Sequence, residues 1–576
     1  MTDVIIVGGG PVGLLLACEL KLGGAEPLVL EAATGEERVT RSLGLRSLNA
    51  RTLHSLELRG LVEPLTEAQW RLFDELATGP GPDRSDLVGM MTELLRKGMM
   101  RGHFAGLPLL EEHGGAEYAM LKQHRIEAVL AARAAALGVP VRQGRAVVDV
   151  TQDAVRAVAT LADGERVEAA YLVGCDGGRS LVRKRSGFAF SGTPATMTGR
   201  TAVATLTGPG SVTSSLRCPA GLVNLSLVPG EIATIEFGGG PGGGFSDGSG
   251  EGSADGSGDE PGGRSFDRDA PVTAEELAGS LRRVTGEDVG VARLEAGIRY
   301  SDNTRHADTY RRGRVLLAGD AAHVHSPIGG QGLNLGLQDA VNLGWKLALV
   351  ARGAAPESLL DTYTDERHPV AARVLRNTRA QVAAMRPGAQ VDALREVLSE
   401  VMALPDAKRH FTGMVEGTDV DYAPASPDPR VGRFTPPLTA TPPASGPRAP
   451  GLHTSGPRVA GAVGGGGWGS ETPAADGTGR PVAESLRDGR GLLLDLSGGA
   501  DTAELAVALA GHRDRVRLAV AATPRAGGPE AGGPPSGARP AGGGALLIRP
   551  DGYVAWAGRP GSGLGDALAA WFGPAS

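Results

Sequence analysis

Three glycines near the N-terminus have the spacing that a nucleotide phosphate requires. Gly8, Gly10 and Gly13 follow an apolar run at residues 3–7 and precede a helical pattern at residues 14–22. In such a turn the first glycine permits a sharp bend, the second lets the backbone approach a pyrophosphate, and the third lets helix and strand pack closely. The helix N-terminus offers its free N–H groups to the phosphate. The predicted dinucleotide contacts are Gly8, Gly10, Pro11, Val12 and Gly13.

A carboxylate completes this unit. Residues 26–30 form a second apolar run, and Glu31 stands at its end, 18 positions after Gly13. An acid at the end of the second strand can accept hydrogen bonds from ribose hydroxyls. Strand, glycine turn, helix, strand and acid together predict a βαβ dinucleotide-binding unit. The pattern by itself leaves open whether the ligand is FAD or NAD.

Two later strands also end beside an aspartate and a glycine. Residues 171–174 lead to Asp176 and Gly177, and residues 315–318 lead to Gly319 and Asp320. The second of these continues into a glycine-rich segment that opens a long helix. Such an N-terminus favours negative charge. The candidate ligand contacts in this segment are Pro327, Gly329, Gly330, Gln331, Gly332, Leu333 and Asn334.

The three segments resemble the GxGxxG, DG and GD motifs of the group A FAD-dependent aromatic monooxygenases, the para-hydroxybenzoate and phenol hydroxylase type. The resemblance runs from residue 1 to about residue 385 and is strongest to the aromatic polyketide hydroxylases of antibiotic biosynthesis. It implies FAD as the cofactor. It also implies that Asp320 bonds a ribityl hydroxyl, and that Asp176 and Gly177 serve both FAD and the pyridine nucleotide.

Reduced flavin is anionic around N1 and O2, so its ring is expected beside the backbone of Pro327, Gly329 and Gly330, at the positive end of the helix. Glycines there are expected to let the ring lie on the backbone without meeting a Cβ atom. No side chain is predicted to act as a nucleophile. His323 and His325 are expected to lack carboxylate or cysteine partners and so to make a poor metal site. Structural or peripheral roles are favoured, with positioning of a substrate or proton as the alternative.

The resemblance further implies a flavin contact from Gln123, at the start of a predicted helix, with an ordinary exposed polar residue as the alternative. Relatives usually place an arginine seven positions before an Arg-Thr pair, which begins here at Arg51. This chain has Gly44 at that position, with Arg41 and Arg46 nearby. Which arginine meets FAD is left open.

The implied reaction uses NADPH or NADH and O2, with oxygen transferred through a flavin C4a-hydroperoxide. Hydroxylation of an electron-rich aromatic ring is the leading expectation. The same flavin species also permits Baeyer–Villiger insertion into a ketone. A third hypothesis is a non-catalytic or partner-dependent FAD protein that sequesters an intermediate, because binding motifs alone do not prove turnover.

The predicted fold class is α/β, with a Rossmann-like FAD-binding domain, an inserted β-sheet substrate domain and a C-terminal thioredoxin-like domain that lacks cysteine. The Gly-rich residues 238–263 are predicted to form a flexible, disordered insertion in the substrate domain. The predicted boundaries are 1–80, 111–185 and 301–385 for the FAD-binding domain, 81–110 and 186–300 for the substrate domain, 386–424 for a helical connection, 425–457 for a Pro-rich linker and 458–576 for the last domain.

Composition excludes several other classes. The 576 residues include 58 basic and 65 acidic ones, giving a net charge of −7. A mildly acidic chain has no general attraction to nucleic acid or to an anionic membrane. There is no apolar run of membrane-spanning length and no signal-peptide pattern, so a cytoplasmic protein is expected. Three dispersed cysteines make neither a disulfide framework nor a zinc site. The expected partners are a small aromatic substrate and O2, and the chain is expected to be a monomer or homodimer.

Overall fold

The computed structural model describes residues 2–35, 43–78, 85–111, 117–208, 215–238, 270–441, 480–522 and 544–576. The predicted insertion at residues 238–263 lies outside the described residues except for Gly238. The chain forms two compact units, Met1–Tyr422 and Ala423–Ser576. The boundary falls at the start of the proline-rich stretch, where the sequence predicts one.

The first unit is built on a mostly parallel sheet. Its strands, in order across the sheet, are Arg311–Arg312, Val315–Leu317, Tyr171–Gly174, Val4–Val7, Pro27–Leu30 and Val141–Arg142. The pairs are parallel except at the Arg311–Arg312 edge. The central strand, Val4–Val7, is buried throughout, as expected for a parallel sheet that is covered on both faces. This sheet confirms the predicted α/β class.

The helix after the first strand runs over Pro11–Leu22 and packs against helices Gln123–Ala136 and Gln331–Ala351. It begins three residues before the predicted start, because proline is well suited to the first turn of a helix. The other helices of this unit are Ala50–Glu57, Val62–Thr78, Ser85–Arg96, Leu181–Arg185, Ala274–Thr285, Asp361–Met385, Ala389–Ala403 and Pro405–Glu416. Short 3-10 turns cover Gly319–Ala321 and Glu357–Leu360.

An antiparallel sheet follows in the predicted substrate region, and it is called the substrate sheet below. Its strands, in order, are Leu216–Cys218, Gly221–Leu225, Glu231–Phe237, Met197–Thr207 and Gly290–Ser301. Helix Ala274–Thr285 packs on one face through Leu277, Leu281 and Val284. The strands predicted at 201–206 and 222–227 fall within or overlap two of these strands.

Smaller strand groups complete the first unit. They are Val147–Gln152 with Ala157–Leu161 and Arg166–Ala169, Phe190–Thr193 with Thr304–Ala307 and His323–Val324, Leu45–Leu48 with Ala119–Lys122, and the hairpin Met100–Phe104 with Leu107–Leu110. Among the described residues, no helix combines the length and apolarity that crossing a membrane requires.

The second unit contains a mixed sheet flanked by helices. Its strands, in order, are Arg480–Pro481, Thr439–Thr441, Val516–Ala521, Gly491–Asp495, Ala545–Ile548 and Val554–Gly558, and its helices are Val482–Ser485, Thr502–Ala508 and Leu564–Phe572, with a 3-10 turn at Ala510–His512. The linker predicted at 425–457 is wrong over its first part, because Thr439–Thr441 pairs with Val516–Ala521 as a strand of this sheet. Residues 442–457 lie outside the described residues.

A buried ion pair fixes helix Pro11–Leu22 against the chain that follows helix Ala50–Glu57. The Arg59 guanidinium donates to both carboxylate oxygens of Glu19, at 2.7 Å from Nε and 2.6 Å from Nη2. Both side chains are 1% exposed. Such a pair is costly to break on one side only, since the remaining charge stays buried without its partner.

We therefore expect Arg59→Leu to lower the free energy of unfolding by about 3–5 kcal/mol, whereas Glu19→Leu combined with Arg59→Leu recovers much of that loss. Urea unfolding of the FAD-loaded proteins measures both. Arg71→Leu is the control, because its pair with Glu67 is exposed and such pairs contribute about 0–1 kcal/mol. Equal losses in the single and double variants would contradict the expectation.

Candidate active site

The first glycine turn has the tight packing that its motif requires. A Cβ atom on Gly8 would lie 2.3 Å from the carbonyl oxygen of Cys175, and one on Gly13 would lie 2.0 Å from the carbonyl oxygen of Gly8. Gly8 also has a φ of +107°. A Cβ atom on Gly10, by contrast, would meet nothing within 4 Å. The space beside Gly10 is the cradle that a pyrophosphate needs.

Glu31 lies against this turn. Its Oε2 accepts a hydrogen bond from the Gly9 amide at 2.6 Å, and its Oε1 accepts one from the Ala33 amide at 2.8 Å. The carboxylate therefore ties the end of strand Pro27–Leu30 to the glycine turn. Each oxygen retains a second lone pair, so these contacts are compatible with the predicted ribose contact.

Val12 brings the first and third motifs together. A Cβ atom on Gly319 would lie 3.1 Å from the side chain of Val12, and one on Gly336 would lie 2.8 Å from it. Gly319 also has a φ of +64°, a conformation that favours glycine. The turn that carries Asp320 thus packs directly on the helix that follows the first glycine turn.

Asp320 lies in a crevice. Its side chain is exposed to solvent, yet the protein around it disfavours the charged form and raises the pKa of its carboxyl group, with His323 and Arg46 opposing that effect. A carboxyl group in a concave site can be reached by solvent and still have neighbouring protein atoms that disfavour its charge, and Asp320 combines these two properties. The carboxylate is therefore available to a ligand between the two nucleotide motifs.

The buried carboxylate of Asp339 fixes the turn that contains Gly319 and Asp320. Asp339 accepts hydrogen bonds from the Gly319 amide at 3.1 Å, from the Arg367 guanidinium at 2.8 Å and from the His323 ring at 2.7 Å. Asp339, His323 and Arg367 are fully buried. Burial alone would raise the pKa of Asp339, but Arg367 and His323 hold it below its usual range.

The expectation that the two histidines lack a carboxylate partner is wrong for His323, whose partner is Asp339. The favoured structural role fits this pairing. The sequence feature that indicates this pairing is the acid at position 339, which lies in an otherwise largely apolar helix. Among the described residues, no group of three or more histidines, cysteines or acids is placed to hold a metal ion.

Two histidines of this region, His325 and His306, have lowered pKa values. His325 donates from Nδ1 to the Ser326 carbonyl oxygen at 2.8 Å, and burial lowers its pKa to about 4. His306 stacks on His368 with ring centroids 3.9 Å apart. Burial, then the neighbouring His368 and His323, lower the pKa of His306 to about 3.

The glycine-rich segment before the long helix needs glycine for its backbone conformation. Gly329 and Gly330 have φ values of +89° and +63°. A Cβ atom on Gly329 would lie 2.8 Å from the Gln381 amide, and one on Gly330 would lie 2.4 Å from the Ser47 hydroxyl. The left-handed backbone therefore favours glycine at both positions, in addition to the expected reason that glycines let a flavin ring lie on the backbone.

The helix itself begins at Gln331. The N–H groups of its first residues, Gln331, Gly332 and Leu333, have no carbonyl partner within the helix. The Oε1 atom of Gln331 is buried and has no hydrogen-bond partner among the described residues. Pro327 is exposed beside them. Unsatisfied donors and a positive helix end suit an electron-rich ligand.

Asn334 uses its side chain within the protein. Its Nδ2 donates to the carbonyl oxygens of Ser47 and Gly330, at 2.9 and 2.8 Å, and its Oδ1 accepts from the Asn49 amide at 2.9 Å. The side chain is 2% exposed. Asn334 therefore fixes strand Leu45–Leu48 against the helix start, a role that its position in the sequence does not reveal.

The second motif forms a turn into helix Leu181–Arg185. Asp176 accepts from the amides of Leu181 and Val182 through Oδ2, at 2.7 and 3.1 Å. Burial raises the pKa of its carboxyl group, against the effect of these hydrogen bonds. Gly177 has a φ of +78°, and a Cβ atom there would meet nothing within 4 Å.

Of the two arginines left open, the structure describes Arg46. It donates from Nε to the Oε1 atom of Gln123 at 3.2 Å, and the carboxylate of Asp320 acts on its charge. Gln123 begins helix Gln123–Ala136, as predicted. Arg41 lies outside the described residues. Arg46 and Gln123 thus contact each other, and the charge of Arg46 acts on the carboxyl group of Asp320.

The fold and this crevice define a nucleotide-binding oxidoreductase. Comparison with known proteins supports this class. The chain matches the FAD binding domain family over residues 1–214 and 260–378, and the C-terminal domain of the aromatic-ring hydroxylases over residues 468–575.

Relatives of known activity extend over the whole chain. It is 36% identical to a 12-dehydrotetracycline 5-monooxygenase/anhydrotetracycline 6-monooxygenase of Streptomyces rimosus, over 99% of both chains. It is also 36% identical to a rifampicin monooxygenase of Streptomyces venezuelae, over 100% of both. A solved anhydrotetracycline hydroxylase from Streptomyces rimosus has a TM-score of 0.74 at 34% identity, over 100% of this chain and 99% of the other.

The chain therefore belongs to the FAD-dependent aromatic-ring monooxygenases. The enzyme uses FAD, with NAD(P)H as the reductant. The open cradle at Gly10 and the unpartnered buried oxygen of Gln331 fit a bound dinucleotide.

Asp320→Ala is expected to weaken FAD binding about tenfold or more, because a charge-assisted hydrogen bond contributes roughly 1.5–3 kcal/mol. Titration of the apoprotein with FAD, followed by flavin fluorescence, measures this. Asp406→Ala is the control, since Asp406 is an exposed acid paired only locally with Arg409. Unchanged FAD affinity in Asp320→Ala would remove Asp320 from the site.

The histidine cluster predicts acid sensitivity. The pKa of His306 is depressed in the folded protein to about 3, whereas an unfolded histidine titrates near pH 6.5. The unfolded chain therefore binds more protons between these values, and stability falls as the pH drops below about 6.5. We expect Tm to decrease from pH 7 to pH 5, and His306→Gln to flatten that decrease while the exposed His410→Gln does not. An equal slope in all three proteins would refute this origin.

Proposed function

We propose that the enzyme hydroxylates a polycyclic aromatic compound of the polyketide type. Full-length similarity to monooxygenases named for anhydrotetracycline and rifampicin supports this substrate class. The structural observation that carries it is an apolar cluster that includes Ile328, in the segment that precedes the long helix. Its other members are Met197, Leu222, Ile235 and Val382, with Phe237, Tyr300 and Met385 packed against them.

This cluster joins the substrate sheet to the proposed flavin bed at Pro327, Gly329 and Gly330. Aromatic and sulfur-containing side chains favour a flat apolar ligand, and an apolar wall excludes water from the reacting ring. Met197, Leu222, Ile235 and Val382 are buried against one another, so we propose that the partly buried Phe237, Tyr300 and Met385 contact the polycyclic aromatic compound. Hydroxylation is preferred to Baeyer–Villiger insertion because a solved relative named above is an anhydrotetracycline hydroxylase.

The proposed cofactor contacts follow from the geometry of the crevice. Gly8, Gly10, Pro11, Val12 and Gly13 hold the pyrophosphate, Glu31 the ribose, and Asp320 a ribityl hydroxyl. Asp176 and Gly177 form the adjoining turn, and Gly319 sets the position of Asp320. Arg46 and Gln123 complete the wall, and the free amides of Gln331, Gly332 and Leu333, with Gly330 before them, face the electron-rich edge of the ring.

FAD, when bound, supplies the hydride acceptor and the oxygen-activating chemistry. The protein's part is to bind, orient and exclude water. The positive helix end at Gln331 stabilises negative charge on a reduced ligand. The proposed contacts to the ring are made by backbone amides and are not covalent, so the ring is free to move. Occupancy of the substrate site can then control when the ring is reduced.

For the second unit we propose a thioredoxin-like fold. The parallel pair Gly491–Asp495 and Val516–Ala521, followed by antiparallel strands and a final helix, supports this arrangement. It contains no cysteine, so its role is packing or self-association, and thiol chemistry is ruled out. A monomer or homodimer in the cytoplasm, where NAD(P)H is available, completes the proposal.

Oxidation of NADPH by the purified holoenzyme is expected to be slow alone and at least about tenfold faster with an aromatic substrate, because substrate occupancy gates reduction. Anhydrotetracycline is the first probe, with a panel of anthracycline- and angucycline-type phenols beside it. Incubation under 18O2 should add one labelled oxygen as a hydroxyl.

A labelled oxygen found in a ring ester would favour Baeyer–Villiger chemistry instead. Flavin reduction that is equally fast with and without every probe, with no oxygenated product, would favour the sequestering hypothesis. The Asp320→Ala protein, reconstituted with excess FAD, is the matched control. It shows whether turnover depends on the contact between Asp320 and FAD.

A further inference from the structure

The substrate sheet reaches the cofactor crevice through the first residue of one of its strands. Strand Glu231–Phe237 begins at Glu231, whose side chain is 2% exposed. Its Oε1 accepts a hydrogen bond from the Gly44 amide at 3.3 Å. Its Oε2 is buried and has no hydrogen-bond partner among the described residues. A buried carboxylate with an unsatisfied oxygen is costly unless a positive charge compensates it.

The compensating charge is Arg46, two residues after Gly44. Arg46 donates from Nη1 to the Leu43 carbonyl oxygen at 3.1 Å and from Nε to Gln123 at 3.2 Å. Burial lowers the pKa of its guanidinium, and the carboxylates of Asp320 and Glu231 oppose that effect. The charge of Arg46 therefore interacts with one acid of the GD motif and with one acid of the substrate sheet, and Glu231 is fixed close by through its hydrogen bond to Gly44.

The strand that supplies Glu231 has two distinct faces. Residues an odd number of positions apart point to opposite sides of a strand, and Glu236 does point away from the crevice. It accepts from Arg200 at 2.7 Å and from Arg283 at 2.7 Å, on the face that packs on helix Ala274–Thr285. Of Glu231 and Glu236, only Glu231 faces the cofactor crevice.

We propose that Glu231 is a positioning residue for FAD, which fixes the 43–46 segment from the substrate sheet and balances the charge of Arg46 at the crevice. The proposal rests on the proposed placement of Arg46 beside FAD. A bound cofactor would remove water from Arg46 and destabilise its charged form. A fixed carboxylate nearby would then stabilise that charge more strongly. A change in the substrate sheet would then be felt at the cofactor through this contact.

A double-mutant cycle on FAD affinity tests the role. Glu231→Gln keeps the size and an acceptor for Gly44 but removes the charge, and we expect FAD to bind about tenfold more weakly. Arg46→Met should weaken FAD binding by at least as much. In the combined variant the loss should equal that of Arg46→Met alone, because the charge of Glu231 acts on FAD binding through the charge of Arg46. The full-length apoprotein is titrated with FAD, and Tm is recorded for each variant.

Glu236→Gln is the matched control, with the same substitution on the same strand. It is expected to lower Tm while leaving FAD affinity unchanged, whereas a merely structural role for Glu231 would make the two variants behave alike. Should Glu231→Gln fail to fold, Glu231→Asp retains the charge with a shorter reach and is expected to weaken FAD binding about threefold.

The outcomes separate the two proposals. Wild-type FAD affinity in Glu231→Gln, with weakened affinity in Arg46→Met, would overturn the role of Glu231 and leave the cofactor site standing. Wild-type affinity in both would overturn the placement of Arg46 at FAD. Losses that simply add in the combined variant would also overturn the proposal, because independent sites contribute additively.

Discussion

The cofactor site depends on one buried carboxylate. Asp339 has no exposed surface, and it binds the amide of Gly319, the ring of His323 and the guanidinium of Arg367 at once. A charge in this position is stable only because a buried cation and two further donors satisfy it. In return it fixes the turn that presents Asp320 to the crevice. Arg367 also donates to the carbonyl oxygen of Leu335, which joins the same network to the long helix.

Close backbone contact is the second constraint, and it operates differently at the two ends of the site. Gly8 and Gly13 are enforced by carbonyl oxygens that leave no room for a Cβ atom, while Gly10 faces open space. At the other end, Gly329 and Gly330 are enforced by left-handed backbone and by Gln381 and Ser47. The first turn thus leaves open space beside Gly10, whereas the second is packed against the protein that supports it.

Two links between the substrate sheet and the FAD-binding part lie beside the proposed FAD position. Glu231 reaches the 43–46 segment from the sheet, and Ile328 enters an apolar cluster with side chains of the same sheet. One link is electrostatic and the other hydrophobic. Together they connect the substrate region to both the ribityl side and the ring side of the proposed FAD position.

The sequence by itself determined the parts of the protein that local chemistry specifies. Gly8, Gly10 and Gly13 with Glu31 and the apolar strands predicted an α/β dinucleotide-binding fold, because strand periodicity and glycine spacing are local properties. The resemblance of the three motifs to a known family then implied FAD and a monooxygenase.

Only the tertiary structure decided which distant residues meet. Asp339 lies 20 positions from Gly319, and Gln123 lies 77 positions from Arg46. Thr439–Thr441 joins a sheet whose neighbouring strand begins at Val516. Contacts with other elements likewise explain three further residues. Asn334 bonds Ser47, Gly329 lies against Gln381, and His323 pairs with Asp339. Spacing along a chain carries no information on such pairings, since they are set by how helices and strands pack to bury apolar surface and satisfy buried charge.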